Sequence, residues 1–197
     1  MRNTLIQTKL AIVVLAGSVS FAIILMRPPH RLILVDLPPL AGDTLMARFE
    51  YLKAHGNSTC SSSFRSVVFQ MPDEGKIMGS CCSPMSMHRY QEQVEGLKKY
   101  NQISEIPPDP YAVDAGLAKR LWGYYDLELP AEKQAAYDYA MENSHEKGPC
   151  CCKCWRWFVY GGLGKYLISE RGFTGEQLTE LWNLSDGCGG DEEHQHT

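Results

Sequence analysis

The residues best suited to chemistry are cysteines. Cys150, Cys151, Cys152 and Cys154 fall within five positions, and Lys153 sits among them. Placed in the first turn and a half of a helix, Cys150, Cys151 and Cys154 share a face at spacings of three and four, while Cys152 points elsewhere. A helix N-terminus and a neighbouring lysine both push thiols toward thiolate. Thiolates gathered this way suit a soft ion, with Cu(I) expected first and Zn(II) or another thiophilic metal as alternatives. Cys188 lies in a glycine turn, Asp186-Gly-Cys-Gly-Gly190, read as exposed, and can supply a further ligand.

A second group of soft donors precedes it. Cys81, Cys82, Met85, Met87 and His88 put two thiols, two thioethers and an imidazole into eight residues, all of them ligands for reduced copper. They are expected to form a second site or the other half of one site, with Cys81 and Cys82 close to Cys150–Cys154. Each lesser donor also has a plainer reading. Met87 fits the apolar face of a helix, Met85 precedes that helix, and His88 at its start suits a solvated side chain. His55 in a loop and His194 and His196 in the acidic tail carry no signal alone. Trp155 and Trp157 follow the cluster and suit packing, or shielding of a site from water.

Two other chemistries fit the same residues. The chain has 8 Cys in all, so every thiol, Cys60 included, has an arithmetical disulfide partner. That would give a disulfide-stabilised structural or adaptor domain. Against it, adjacent cysteines pair badly because the bridge needs Cα atoms ~4.4–6.8 Å apart. Alternatively, Cys151-Cys-Lys-Cys154 is a C-x-x-C that suits a thiol–disulfide oxidoreductase. A thioredoxin-type motif follows a strand, however, and the preceding segment reads as helix. The sequence offers no glycine-rich phosphate loop, no H-E-x-x-H and no evident Ser/His/Asp set, and is not read as an enzyme.

The elements that must position these groups are mostly helical. Met87, Tyr90, Val94, Leu97 and Tyr100 recur at spacings of three and four. Ile106-Pro-Pro-Asp-Pro110 is a stop and a turn. Further helices are predicted from about Val113 to Tyr125, with Leu117, Leu121 and Tyr124 on one side, and from Ala131 to Glu142 after Pro130 at the first helical position. Gly148 and Pro149 break that helix, and Pro149 opens the one bearing the cysteines. Thr174-Gly-Glu-Gln177 is a capping box for a last helix through Leu178, Leu181 and Trp182. Residues 55–84 read as loop apart from a strand at Ser66-Val-Val-Phe69, and Arg31–Asp36 is another strand candidate between proline pairs. The expectation is a mainly α domain with a possible two-stranded element.

Leu10–Met26 is an apolar run free of charge, at the short end of the ~17–25 residues that span a bilayer. A single-span anchor is expected, with a cleaved signal peptide as the alternative. Leu15-Ala-Gly17 resembles the start of a lipoprotein box, but Ser18 stands where its cysteine belongs. The organisation reads as a short cytoplasmic tail (1–9), an anchor (10–26), a stem and Cys/Ser/Gly-rich region (27–84), a helical Cys-rich domain (85–190) and an acidic, His-bearing tail (191–197). Basic residues flank the span almost evenly, so orientation rests on the short N-terminus and long polar body. This places the body outside the cell membrane, in a disulfide-permissive compartment. The formal charge is −4, and Arg2 and Lys9 are the only charges before residue 27, so the remainder carries −6. An acidic body without a basic stripe excludes general nucleic-acid binding. The expected partners are the membrane, a metal ion and a metal-transfer protein.

Tyr137-Asp-Tyr-Ala-Met-Glu-Asn143, a spacer, and then Pro149-Cys-Cys-Cys-Lys-Cys154 resembles the bacterial surface proteins named for their PCYCGC motif. In those, a helix leads to a Pro-Cys-x-Cys-x-Cys knot, and a further cysteine follows. The resemblance covers roughly residues 130–190 and draws nothing from residues 27–110. It places Cys150, Cys152 and Cys154 on the motif cysteines and Cys188 on the later one, with Cys151 and Lys153 replacing the motif's Tyr and Gly. It implies a small, membrane-attached, extracytoplasmic protein that binds copper or another heavy metal. On that implication the ligands are Cys150, Cys152, Cys154 and Cys188, with Cys151 as a substitute or as ligand to a second ion. It also implies an irregular backbone through the knot, in conflict with the helical sorting above.

Overall fold

The computed structural model describes residues 44–190. The anchor run Leu10–Met26, the strand candidate Arg31–Asp36 and the histidines of the tail lie outside them. Among the described residues there are seven α-helices and one two-stranded sheet: α1 (Leu45–Ala54), α2 (Phe64–Gln70), β1 (Lys76–Met78), α3 (Met87–Leu97), β2 (Ala112–Asp114), α4 (Ala115–Gly123), α5 (Ala131–Asn143), α6 (Trp155–Arg171) and α7 (Gly175–Ser185). The mainly α expectation therefore holds for this part of the chain. No helix in it is long and apolar enough to cross a membrane.

Helix α6 is the axis of the molecule, and its glycines explain how. Trp155, Val159, Leu163 and Leu167 are buried along it. Gly162 lets α4 approach so closely that a Cβ there would stand 1.9 Å from the Leu121 carbonyl oxygen. On another side Gly164 receives Trp182 and Leu178 of α7. Helices α5 and α3 then pack on α7, α2 packs on α4 and α6, and α1 packs on α3. Thr174 and Gln177 form the expected capping box at the start of α7.

The segment Ser66–Phe69 corrects its strand assignment: it lies within α2. Val-Val-Phe favours strands by local propensity, but burial here follows the helical period. Phe64 and Val68, four residues apart, enter the core, and Val67 and Phe69 face solvent. Packing overrides propensity in such short elements. Pro130 is also one step outside its helix, as the N-cap of α5.

The sheet is short and pins one cysteine segment. Strands β1 and β2 are antiparallel, with Ile77 opposite Val113, and Lys76 reaches Asp114 across the pair at 2.6 Å. Asn57 straps the preceding loop onto β1, donating from Nδ2 to the Lys76 carbonyl at 3.0 Å and accepting from the Met78 amide at 2.8 Å. Gly79 follows β1 with φ 77° and passes Gly56 so closely that a Cβ would meet its Cα at 2.8 Å. Cys60 and Cys81 are thus delivered from two strands of chain tied to the same short sheet.

A second apolar cluster, built on Phe49, Leu52, Met85, Tyr90, Tyr111 and Ala112, joins α1, α3 and β2. Its polar keystone is Asp109, which pairs with Arg48 at 2.9 Å and accepts from the Tyr90 hydroxyl and the Tyr111 amide, both at 2.8 Å. Replacing Asp109 by Ala strands the Tyr90 hydroxyl in the core. The expected loss is about 1.5–3 kcal/mol, read from chemical denaturation.

Candidate metal centre

Four irregular segments bring all eight cysteines together. Residues 81–84 lie along 187–190: the amides of Cys82 and Ser83 both donate to the Cys188 carbonyl, at 3.2 and 2.7 Å, and Gly190 donates to the Pro84 carbonyl at 2.8 Å. Gly189, at φ 84°, makes this approach possible, because a Cβ there would stand 2.1 Å from the Ser83 carbonyl oxygen. The third segment, 148–154, begins at Gly148 (φ 147°), held by the Ser144 hydroxyl. The loop of Cys60 is fixed from beside the centre, where the Trp155 indole donates to Ser58 at 3.0 Å.

The knot is not helical, which corrects the sorting by helix face. Helix α6 begins only at Trp155, Cys154 is its N-cap, and the Cys154 amide turns back to the Cys152 carbonyl at 2.8 Å. Successive side chains on a helix point ~100° apart, since 3.6 residues make a turn, so consecutive sulfurs converge only where the backbone leaves that geometry. Cys152 consequently joins the centre instead of pointing away.

The sulfurs form a continuous network. Cys150 lies 3.6 Å from Cys154 and 3.4 Å from Cys188, and Cys151 lies 3.2 Å from Cys188. Cys82 reaches Cys151 at 3.9 Å and Cys81 at 3.5 Å. Four overlapping triads have mutual separations within 4.8 Å: Cys60, Cys152 and Cys154; Cys81, Cys150 and Cys188; Cys82, Cys151 and Cys188; and Cys150, Cys151 and Cys152. The expected approach of Cys81 and Cys82 to the cluster is met. All eight are free thiols. Their spacing also fits an ion, because four sulfurs ~2.3 Å from a tetrahedral centre stand about 3.8 Å apart.

Burial is graded across the network. Cys150, Cys154 and Cys188 are buried, Cys60, Cys81, Cys151 and Cys152 are half-buried, and Cys82 is exposed. The expectation of an exposed turn for Cys188 is therefore corrected: the 81–84 segment covers it. The remaining donors of the 81–88 group lie elsewhere. Met85 is buried in the second apolar cluster, Met87 packs against it, and His88 is exposed at the start of α3.

Hydrogen bonding within the network divides its protons unevenly. Bonds from Cys150, Cys151 and Cys81 hold the Cys188 thiol far below the ordinary range. Bonds from Cys150 and Cys81 do the same for Cys154, against burial. Cys152 is lowered to about 6, chiefly by Cys150. Cys150 is pushed up by its contacts with the thiols of Cys151, Cys152, Cys154 and Cys188 and by burial. Burial raises Cys60 and carries Cys82 to about 11. Beside them, burial followed by Cys188 lifts the Asp186 carboxyl to about 7.

Two participants lack a local sequence signal. Cys60 is a single cysteine in a Ser/Gly-rich loop, and only the β1 strap brings it to Cys152 and Cys154. Arg156 belongs to no motif, yet it is 1 % exposed and its charge interacts with Cys81, Cys150 and Cys188.

No family model, curated protein or solved structure matches this chain. The fold and site define a mainly helical, cysteine-rich protein whose eight clustered thiols can hold a metal ion.

Proposed function

We propose that this protein captures a soft metal ion, Cu(I) before Zn(II), for sequestration or delivery, with residues 10–26 anchoring it in the cell membrane and its body on the extracytoplasmic side. One observation carries the metal reading: every cysteine in the chain, drawn from four separate segments, arrives at a single centre as a free thiol. Triads of thiols suit a low-coordinate soft cation. The gradient from exposed Cys82 to buried Cys150 supplies an entry path and a face for exchange with a metal-transfer partner. The apolar run and the likeness to PCYCGC-motif proteins support the location.

The redox alternative lacks its setting. In Cys151-x-x-Cys154 it is the second cysteine that occupies the helix N-cap, and helix α5 and a loop precede the motif in place of a strand.

The test is a metal and free-thiol count on full-length protein purified anaerobically, by elemental analysis and alkylation mass spectrometry after Cu(I) or Zn(II) supply. Bound metal with thiols protected from alkylation is expected. Cys150→Ser should abolish most of the uptake, because Cys150 touches both the Cys188 and Cys154 sides of the network. Cys82→Ser, at the exposed edge, should keep most of it. Absence of both metal and reactive thiols would make the centre a disulfide knot and overturn the proposal.

A further inference from the structure

Arg156 is the most unusual charged group outside the cysteines. Its guanidinium is fully buried and forms no carboxylate ion pair among the described residues. It donates to the carbonyls of Pro110 and Ser185, which hold it in place without neutralising it. Its Nε makes no hydrogen bond. Trp155, Tyr160 and Tyr111 surround it at 4.8, 5.5 and 5.9 Å. Gly187 leaves the space it fills, since a Cβ there would stand 2.0 Å from the guanidinium carbon. Aromatic faces attract a cation, but a buried charge still requires an opposite one.

The guanidinium packs against Gly187, between the Asp186 carboxyl and Cys188, so the cysteine sulfurs and that carboxyl are the acidic groups beside it. A disulfide network is neutral, and so is a fully protonated one; either would leave Arg156 with only the Asp186 carboxyl, itself lifted to about 7 by burial, as an opposite charge. Eight thiolates carry more negative charge than a few monovalent ions remove, so a loaded centre stays anionic. The overlap of the triads adds a second constraint. Cys150 and Cys188 each belong to two of the four, and Cys152 links the Cys60 triad to that of Cys150 and Cys151. Ions placed in neighbouring triads would therefore share sulfurs.

We propose that the eight sulfurs form one polynuclear centre, in which several Cu(I) ions are bridged by shared thiolates and Arg156 balances the net negative charge from within the fold. This rests on the metal-binding reading and extends it from a single ion to a cluster with a built-in counter-charge. Each thiol that coordinates releases its proton to solvent, so loading is accompanied by a countable mass change. Arg156 is a positioning residue: it touches no ion and acts by its charge on the sulfurs.

The experiment is native mass spectrometry of the full chain during anaerobic Cu(I) titration, with competition against a Cu(I) chelator, on wild type, Arg156→Lys and Arg156→Met. Wild type should pass from no ions to one multiply loaded species with few intermediates. Its mass should report fewer Cu(I) ions than protons displaced, hence a net anion. Arg156→Met should release its copper to the chelator about 10–100-fold more readily, as loss of a supporting group around a metal site does. Arg156→Lys should recover most of that difference, which a purely packing role would not produce. Uptake of a single ion, or independent filling of separate sites, would overturn the cluster while leaving metal binding intact. Equal retention in the methionine variant would overturn the role of Arg156. No uptake by wild type would remove the metal reading itself. Should Arg156→Met fail to fold, the wild-type stoichiometry and proton count still decide for or against an anionic cluster.

Discussion

Stripping the loaded protein with a strong Cu(I) chelator under anaerobic conditions should lower its thermal midpoint by about 10 °C. An ion held at ~1,000 times its dissociation constant contributes ~4 kcal/mol, and each kcal/mol moves a domain of ~150–250 residues by ~2–4 °C. The structure says where that stabilisation would act. The segments at 57–63, 79–84, 148–154 and 186–190 are irregular, and ligation would tie together sulfurs that span the chain from Cys60 to Cys188. The helical core should survive the treatment, because Leu121, Leu163, Leu167, Leu181 and Trp182 are buried where α4 and α7 pack on α6. Circular dichroism should therefore show retained helix, while hydrogen exchange should accelerate in those four segments. The outcome contrary to this account is a midpoint indifferent to chelator but lowered by reductant, which is the behaviour of a disulfide-linked domain.

Gly162→Ala is expected to be strongly destabilising although it adds a single methyl group. The added Cβ would stand 1.9 Å from the Leu121 carbonyl oxygen and 3.0 Å from the Tyr125 amide nitrogen. Both are backbone atoms, so no rotamer change relieves the clash; α4 and α6 have to separate. Overpacking of this kind costs ~1–3 kcal/mol where side chains yield, and a backbone obstacle places this site at or above ~3 kcal/mol. Gly123→Ala is the internal control. It closes α4 with nothing within 4 Å of the new methyl, so it should stabilise by ~0.4–1 kcal/mol through loss of chain freedom in the unfolded state. Urea unfolding of the two variants beside wild type checks both signs together. Near-wild-type stability of Gly162→Ala would mean that α4 and α6 do not cross as described.

Much of the architecture was legible from pattern. The three-and-four spacing of Tyr90 and Leu97, the capping box at Thr174 and the breaks at Ile106–Pro110 and Gly148 report local preferences that packing leaves in force. Ser66–Phe69 was not legible, because its residues favour a strand locally and only contact with α4 and α6 selects the helix. The helical sorting of Cys150–Cys154 failed for a related reason. Spacing predicts a face only when the backbone is regular, and here hydrogen bonds donated to the Cys152 carbonyl and to the Ser144 hydroxyl hold it irregular.

By itself the sequence determined the kind of chemistry available. Four thiols in five residues, with three more at Cys81, Cys82 and Cys188, establish soft-ligand character whatever the fold, because donor type belongs to the side chain. Only the tertiary structure decided that these are one centre, that Cys60 belongs to it while Met85 turns into a different apolar cluster, and that a lone arginine stands buried beside it. Those memberships depend on which distant segments share a few ångströms of space. That is settled by the strap of Asn57 on β1, by the pairing of 81–84 with 187–190, and by the cavity left at Gly187, none of which leaves a trace in local spacing.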